Sequence, residues 1–453
     1  MTNPATGEPL DAPPLLDAAG VDAALDRAQA AWHAHRESSM DDRAAGLRRV
    51  AGLLERDARA HAERMTREMG KPVAQAEAEA RKCAWVCRHY ADHGAAYLAD
   101  EPVATDAARS FVAYRPLGPL LAVMPWNFPY WQALRAAAPA VMAGNTVVLK
   151  HAENVRGCGD AIAALFREAG FAEGVVQHAP MAVGAVAGAI ADSRIAAATL
   201  TGSERAGRAV GEAAGRALKP VVLELGGSDA FVVLADADVD RAARVGLASR
   251  VQNNGQSCIA AKRFILHRAV ADAFTERFVA AAEALVVGDP MDAATDLGPL
   301  AREGLRGTLH EQVGRSVAEG ARLLTGGAVP EGPGWYYPPT VLAGVPEGGV
   351  PYREELFGPV AALTVADDDA HAVRLANATP FGLGGSVWTR DAARGLRVAR
   401  QIHAGAVFVN AMTRSHPALP FGGVGVSGVG RELGRAGIRA FTNATTVWVG
   451  ADG

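Results

Sequence analysis

The segment VQNNGQSCIA, residues 251–260, sets Cys258 behind a run of side-chain amides, a glycine and a serine. Structural cysteines usually sit among apolar residues, so this polar setting points to a reactive thiol. A free thiol with a pKa of about 8.5 is mostly protonated near neutrality, and a catalytic one needs a base or a positive field. Glu224 ends the apolar run PVVLEL and is followed by Gly226 and Gly227. A carboxylate at a strand end is placed where α/β sheets hold their sites, although such groups also serve in structural ion pairs. Asn127, in MPWNFP, is held in a turn by two prolines and two aromatic rings; its amide could donate to a developing oxyanion or simply brace the turn. In TGSERAGRAVG, Gly202, Ser203 and Gly207 start a helix in the way that exposes backbone N–H groups to a phosphate, without forming a GxGxxG fingerprint. Lys150 ends another apolar run, and Glu153 follows three residues later, where a ribose could be gripped.

These groups need a frame. Residues 20–101 are rich in Ala, Arg and Glu with helical spacing, which predicts two or three helices. Residues 109–116 alternate as a strand. Short apolar runs then alternate with helical ones: 119–124, 146–150, 175–179, 196–200 and 220–225 read as strands. After GGSDAFVVLADADVD the rhythm restarts, with a helix over 239–252, a strand over 263–267 and further units through 359–365 and 406–410. The fold class is therefore α/β, with a doubly wound parallel sheet, a second α/β region and ligands at the carboxyl ends of the strands.

A chain of 453 residues exceeds one ordinary core. Its 49% hydrophobic content is that of a globular protein, and a net charge of −4 without a Lys/Arg block argues against nucleic acid as a partner. The longest apolar runs, such as 183–191, reach about half of the ~20 residues that a membrane span needs, so no membrane partner is expected. The N-terminus carries no secretory pattern, and four cysteines make no disulfide framework, which suggests a reducing cytoplasm. Cys83, Cys87, His89 and His93 lie on one predicted helix. At about 100° per residue the thiols and the imidazoles face apart, so no metal site is expected.

Together and in this order, NPATG, PWNFP, LKHAE, TGS with Gly207, LELGG, GQSC, EELFGPV and PFGGVGVSGVGREL resemble the aldehyde dehydrogenase superfamily over nearly the whole chain. LELGG and GQSC, with Glu224 and Cys258 34 positions apart, are the most specific pair. The resemblance implies a Rossmann-like cofactor domain over 1–105 and 123–231, a catalytic domain over 232–420 and a small β oligomerisation element over 106–122 and 432–453. It implies that Cys258 attacks an aldehyde, that Asn127 and the Cys258 N–H hold the oxyanion, and that Glu224 activates water against the thioester. It gives Glu355 and Phe357 to the nicotinamide end of the cofactor. Trp126, Lys150, Glu153, Gly202, Ser203, Gly207 and Leu225 go to the rest of the dinucleotide.

The stretches YRPLGPLLAVMPWNFPYWQALRAAAPAVMAGN, LKHAENV and VLELGGSDAFVVL resemble the succinate-semialdehyde dehydrogenase branch, particularly its bacterial NAD(P)-dependent type. That branch implies that Arg135 holds a distal carboxylate, with Arg414 or Ser415 as a second contact. Arginine suits the task through its bidentate, permanent charge. Where some members carry a second arginine, this chain has Gln252. Another semialdehyde, an uncharged aldehyde or a non-catalytic relative are the alternatives. Glu153 would repel a 2′-phosphate, so NAD is expected over NADP, with NADP still possible. Gly425 replaces a frequent lysine, and Ile259 leaves no second thiol beside Cys258. A homodimer or homotetramer is expected, with a small-molecule substrate.

Overall fold

The computed structural model describes residues 1–450. A six-stranded sheet runs, from edge to edge, Gly428–Val429, Val221–Glu224, Ala197–Thr201, Pro119–Met124, Thr146–His151 and Val176–His178. Every pairing is parallel except that of Gly428–Val429 with Val221–Glu224. From Pro119–Met124 the chain winds outward through Thr146–His151 to Val176–His178. It then returns to the other side of its starting strand as Ala197–Thr201. The switch point thus lies between Pro119–Met124 and Ala197–Thr201, and the turns after these strands, bearing Asn127 and Gly202–Ser203, flank one crevice. Thr146–His151 is buried throughout, as a central parallel strand requires.

The second sheet has seven strands, ordered Arg322–Thr325, Thr340–Ala343, Val360–Ala366, Ala261–His267, Asp229–Val233, Gly384–Trp388 and Ala406–Val409. Only its first pair is antiparallel. Two domain edges differ from expectation. Asp229–Val233 already belongs to this sheet, and Pro119–Met124 belongs to the first rather than to the bridging element. Both runs are apolar and buried, and such strands gain more at a sheet centre than on an exposed ribbon. Glu101–Pro102, Arg109–Pro116 and Thr442–Val449 form a separate antiparallel sheet.

The N-terminal region contains four helices, Ala18–His35, Met40–Arg56, Ala58–Met69 and Val73–Tyr97, where two or three were expected. Local chemistry makes the extra breaks. Ser39 caps the second helix by accepting from the Asp42 N–H, and Gly70, at φ +84°, ends the third ahead of Pro72.

This helical layer positions the PWNFP turn. Glu79, on Val73–Tyr97, accepts from the backbone N–H groups of Tyr130 and Trp131 at 2.9 and 2.8 Å, capping the helix Trp131–Ala143. Its charge is balanced by Lys71; both side chains are buried, and the Lys71 ammonium also lies 4.3 Å from the Phe128 ring centroid. His151 grips the far side of the turn. Its Nδ1 accepts from the Ala152 N–H at 3.0 Å, which leaves Nε2–H to donate to the Pro129 carbonyl at 2.8 Å. Burial pushes this imidazole down to about 4, in keeping with that neutral tautomer. Glu79→Ala strands the buried Lys71 charge and two N–H groups. It is expected to lower stability by about 3–5 kcal/mol in urea unfolding; a loss under about 1 kcal/mol would contradict this cap.

Candidate active site

Cys258 sits between the helix Val239–Val251 and the strand Ala261–His267, at the carboxyl side of the first sheet. The polar residues ahead of Cys258 staple its loop. Asn253 and Asn254 take left-handed backbone conformations, at φ +56° and +58°, which asparagine tolerates better than most side chains. Their amides reach distant segments. Asn253 Nδ2 donates to the carbonyls of Asn127 and Gln256 at 2.7 and 3.0 Å, and Asn254 Nδ2 to those of Gly70 and Pro299 at 2.8 and 2.9 Å. Gly298 N–H donates to Asn254 Oδ1, and Ala301 N–H to Gln256 Oε1. Gly255, at φ +73°, lies so close to Gly358 that a Cβ would meet its carbonyl carbon at 2.3 Å. The amides around the thiol therefore fasten its loop to both halves of the molecule.

Lys262, fully buried, completes the clamp. Its ammonium donates to the carbonyls of Ser257 and Cys258, each at 2.8 Å, and pairs with Glu355 at 3.1 Å. Glu355 also accepts from the Gly227 N–H. Burial pushes the Cys258 thiol up to about 12, while the Lys262 charge pulls it back. Asn127 Nδ2 donates to the Gln256 carbonyl at 2.9 Å, which holds the carboxamide against the nucleophile loop and leaves its second hydrogen for a substrate oxygen. Asn127 and Cys258 line one cavity.

Glu224 ends its strand fully buried, and neither carboxyl oxygen has a hydrogen-bond partner among the described residues. Burial raises its pKa well above the carboxylic range, and the like charge of nearby Glu432 adds to this. Glu432, from the GREL stretch, is likewise raised by burial and held down by Arg135. Glu224 lies behind the residues that line the cavity, and its charge, where formed, opposes the Cys258 thiolate.

The same cavity takes in Trp126, Gly202, Ser203, Leu225, Glu355 and Phe357. Trp126 stands edge-on to Phe357, their ring centroids 5.7 Å apart. Ser203 caps the helix Glu204–Arg216, accepting from the Ala206 N–H at 3.3 Å, and the open first turn faces the crevice. Gly207 lies outside the cavity lining. A Cβ there would meet Leu225 at 2.5 Å, so the residue lets helix and strand pack closely. Lys150 is buried at its strand end, and burial lowers its ammonium pKa against the opposing pull of Glu153, which is exposed. A dinucleotide fits these groups: the helix start suits a diphosphate, the Phe357–Trp126 corner a planar ring, and the Glu153 carboxylate ribose hydroxyls.

Of the remaining expected residues, Arg135 is not in the cavity wall. Its buried guanidinium pairs with Glu432, lies 4.8 Å from the Phe421 ring centroid and donates to Thr201 Oγ1 at 3.3 Å. Arg414 is exposed, whereas its neighbour Ser415 is buried and accepts from Lys82 Nζ at 2.8 Å. Gln252 turns back onto its helix end, donating to the Ser249 carbonyl, and Ile259 packs on the core. Gly425 lies in an exposed two-residue strand against Phe381–Gly382. The thiols of Cys83 and Cys87 are buried in the helical layer. Sequence reasoning missed Lys82, Lys262, Arg302 and Glu432. Of these, Glu432 carried a local signal, standing inside a quoted motif, and Lys262 sits four residues past the nucleophile.

A half-buried thiol that shares a dinucleotide-sized cavity with a carboxamide donor defines the class: an oxidoreductase that works on a carbonyl held covalently at cysteine. The comparisons with known proteins agree and are more specific. The model of the aldehyde dehydrogenase family matches residues 1–447. A probable NADP(+) succinate-semialdehyde dehydrogenase of Synechocystis sp. is 51% identical over 99% of this chain and 98% of its own length. The NAD(P)+ succinate semialdehyde dehydrogenase Sad of Escherichia coli (strain K12) is 50% identical over 98% of this chain and 96% of its own length. The crystal structure of a succinic semialdehyde dehydrogenase from Streptococcus pyogenes in complex with NADP+ superposes with a TM-score of 0.97 at 36% identity, covering 99% of each chain. The chain belongs to the aldehyde dehydrogenase family, and its chemistry is the oxidation of an aldehyde with a nicotinamide dinucleotide.

Because burial holds the Cys258 thiol protonated in the free enzyme, its alkylation by iodoacetamide is expected to be slow at pH 7 and to rise through pH 9 without levelling. A plateau near neutrality would show a thiolate already formed at rest.

Proposed function

We propose that the protein oxidises succinate semialdehyde to succinate with NAD(P), using Cys258 as nucleophile, Asn127 as oxyanion donor and Glu224 as base. The observation that carries the chemistry is the shared cavity in which Asn127, tied to the nucleophile loop, faces Cys258 beside Glu355 and Phe357. The names of the relatives support the substrate, as does a second polar region around Ser415 and the Arg135 charge. Arg135 contributes through its field rather than through direct contact, because Glu432 occupies its guanidinium.

Cys258, its thiol proton given up to solvent, adds as the thiolate to the aldehyde carbon, and the oxygen that gains charge is met by the free Asn127 N–H and the Cys258 backbone N–H. The nicotinamide, when bound, supplies the hydride acceptor that turns the thiohemiacetal into a thioester. Glu224, once ionised, takes a proton from the water that attacks the thioester carbon, and Cys258 leaves as the thiolate. Burial keeps Glu224 neutral at rest, so its basic form, and with it hydrolysis, gains as pH rises. Asn127→Ala is expected to reduce kcat by ~10²–10³. In the parent enzyme kcat/KM for succinate semialdehyde should exceed that for butanal by roughly 10- to 100-fold, the worth of a charge-assisted contact; equal values would remove the acidic-aldehyde reading.

We further propose NAD over NADP, on Glu153, whose carboxylate suits ribose hydroxyls and opposes a 2′-phosphate. Glu153→Ser is then expected to raise kcat/KM with NADP relative to NAD, and an unchanged ratio would return the choice to other groups. The separate sheet with Thr442–Val449 at one edge and half-exposed Trp448 is where copies of the chain would meet as a dimer or tetramer. Glu224, Asn127 and Cys258 take the catalytic roles, and Trp126, Lys150, Glu153, Gly202, Ser203, Leu225, Glu355 and Phe357 line the cofactor, with Gly207 supporting them. Four free cysteines suit a cytoplasmic site of action.

A further inference from the structure

The backbone amide of the nucleophile is joined to the Lys262 clamp at its other end. The Ser257 carbonyl and the Cys258 N–H are the two poles of one peptide unit. The Lys262 ammonium donates to that carbonyl at 2.8 Å, and the Ala260 N–H donates to it at 3.2 Å. The Cys258 N–H has no acceptor among the described residues, which leaves it free for a ligand at the thiol. Gly227 lets this backbone come close to the strand end, since a Cβ there would meet the Cys258 carbonyl oxygen at 2.7 Å.

Lys262 is fully buried, and its three hydrogens have fixed acceptors in the carbonyls of Ser257 and Cys258 and in Glu355 at 3.1 Å. Water does not screen a charge held there, so it acts strongly on the bonds it touches. Amide resonance couples the two ends of the Ser257–Cys258 unit. A cation on the carbonyl oxygen draws π density towards that oxygen, leaves the N–H more positive and makes it the better donor.

When a thiolate adds to a carbonyl carbon, the C=O π pair moves onto the oxygen, whose charge then meets the donors beside Cys258. We propose that Lys262 is a positioning residue that acts through the Ser257–Cys258 peptide and strengthens the Cys258 N–H as an oxyanion donor. The proposal rests on the reading of Asn127 and the Cys258 N–H as the oxyanion site. The same ammonium also pulls the thiol towards its thiolate against burial. The two effects separate by chemistry, because alkylation of the thiolate develops no oxyanion and acylation does.

The test compares two reactions of Cys258 at one pH and without cofactor, in the parent, Lys262→Met, Lys262→Arg and Asn127→Ala. Acylation is read as the first-turnover release of p-nitrophenolate from p-nitrophenyl acetate, and alkylation as the modification of the Cys258 peptide by iodoacetamide. Both rates come from one preparation, so a partly folded variant or a shifted thiol pKa lowers both and cancels in their ratio. Lys262→Met should lower the acylation-to-alkylation ratio roughly 10- to 30-fold, less than the ~10²–10³ for losing a donor outright. Lys262→Arg, which keeps the charge, should recover part of it. A Lys262→Met ratio within about twofold of the parent overturns the proposal, as does a Lys262→Arg ratio as low as that of Lys262→Met. Asn127→Ala should lower the same ratio, and an unchanged value there overturns the oxyanion reading beneath the proposal.

Discussion

Everything in this molecule depends on holding one sulfur at the seam between two parallel sheets. The carbonyl carbon must meet Cys258, an oxyanion donor and a hydride acceptor at once, and an error of about 1 Å in such a geometry is costly. Asn253, Asn254 and Gln256 spend their side chains on backbone groups of the helical layer, the PWNFP turn and the 298–301 segment. Lys262 ties the carbonyls on either side of the nucleophile to Glu355, which itself reaches the Gly227 N–H. Glu355, the Cys258 loop and the strand-end Gly227 are thus one hydrogen-bonded unit. Glu79 and His151 brace the facing turn from outside.

Burial then sets the chemistry's resting state. Thiol and base both pass from water into a low-dielectric interior, which favours their neutral forms. Two buried carboxyls, Glu224 and Glu432, both feel the positive charge of Arg135 and repel each other, so they resist ionising together. Arg135 is in this way tied to the electrostatics of Glu224 and Glu432, and it lies behind the cavity wall.

The alternation of apolar runs with helical ones made both sheets legible, because parallel strands buried on two faces must read as short hydrophobic stretches. Cys258, Glu224 and Asn127 stood out for a related reason: polar groups at strand ends and in a proline-braced turn break an apolar pattern. The fourth N-terminal helix was hidden by a boundary that depends on Gly70 and Pro72 within an otherwise continuous helical composition. Long-range partners were invisible altogether. The role of the Asn254 amide before Cys258 was hidden because its carbonyl acceptors lie 45 and 184 positions away. Arg135 offered an attractive sequence argument, and only the fold reveals that Glu432 had already claimed it.

The central claim is covalent: an acidic acyl group resides on Cys258 until water activated by Glu224 removes it. Mass spectrometry of Glu224→Gln after mixing with succinate semialdehyde and NAD tests it directly. A succinyl group on the peptide carrying Cys258, formed together with about one NADH per chain, is the outcome required by this mechanism. NADH release with no acyl group on any cysteine, or an acyl group on Cys83, Cys87 or Cys158 instead, would contradict it.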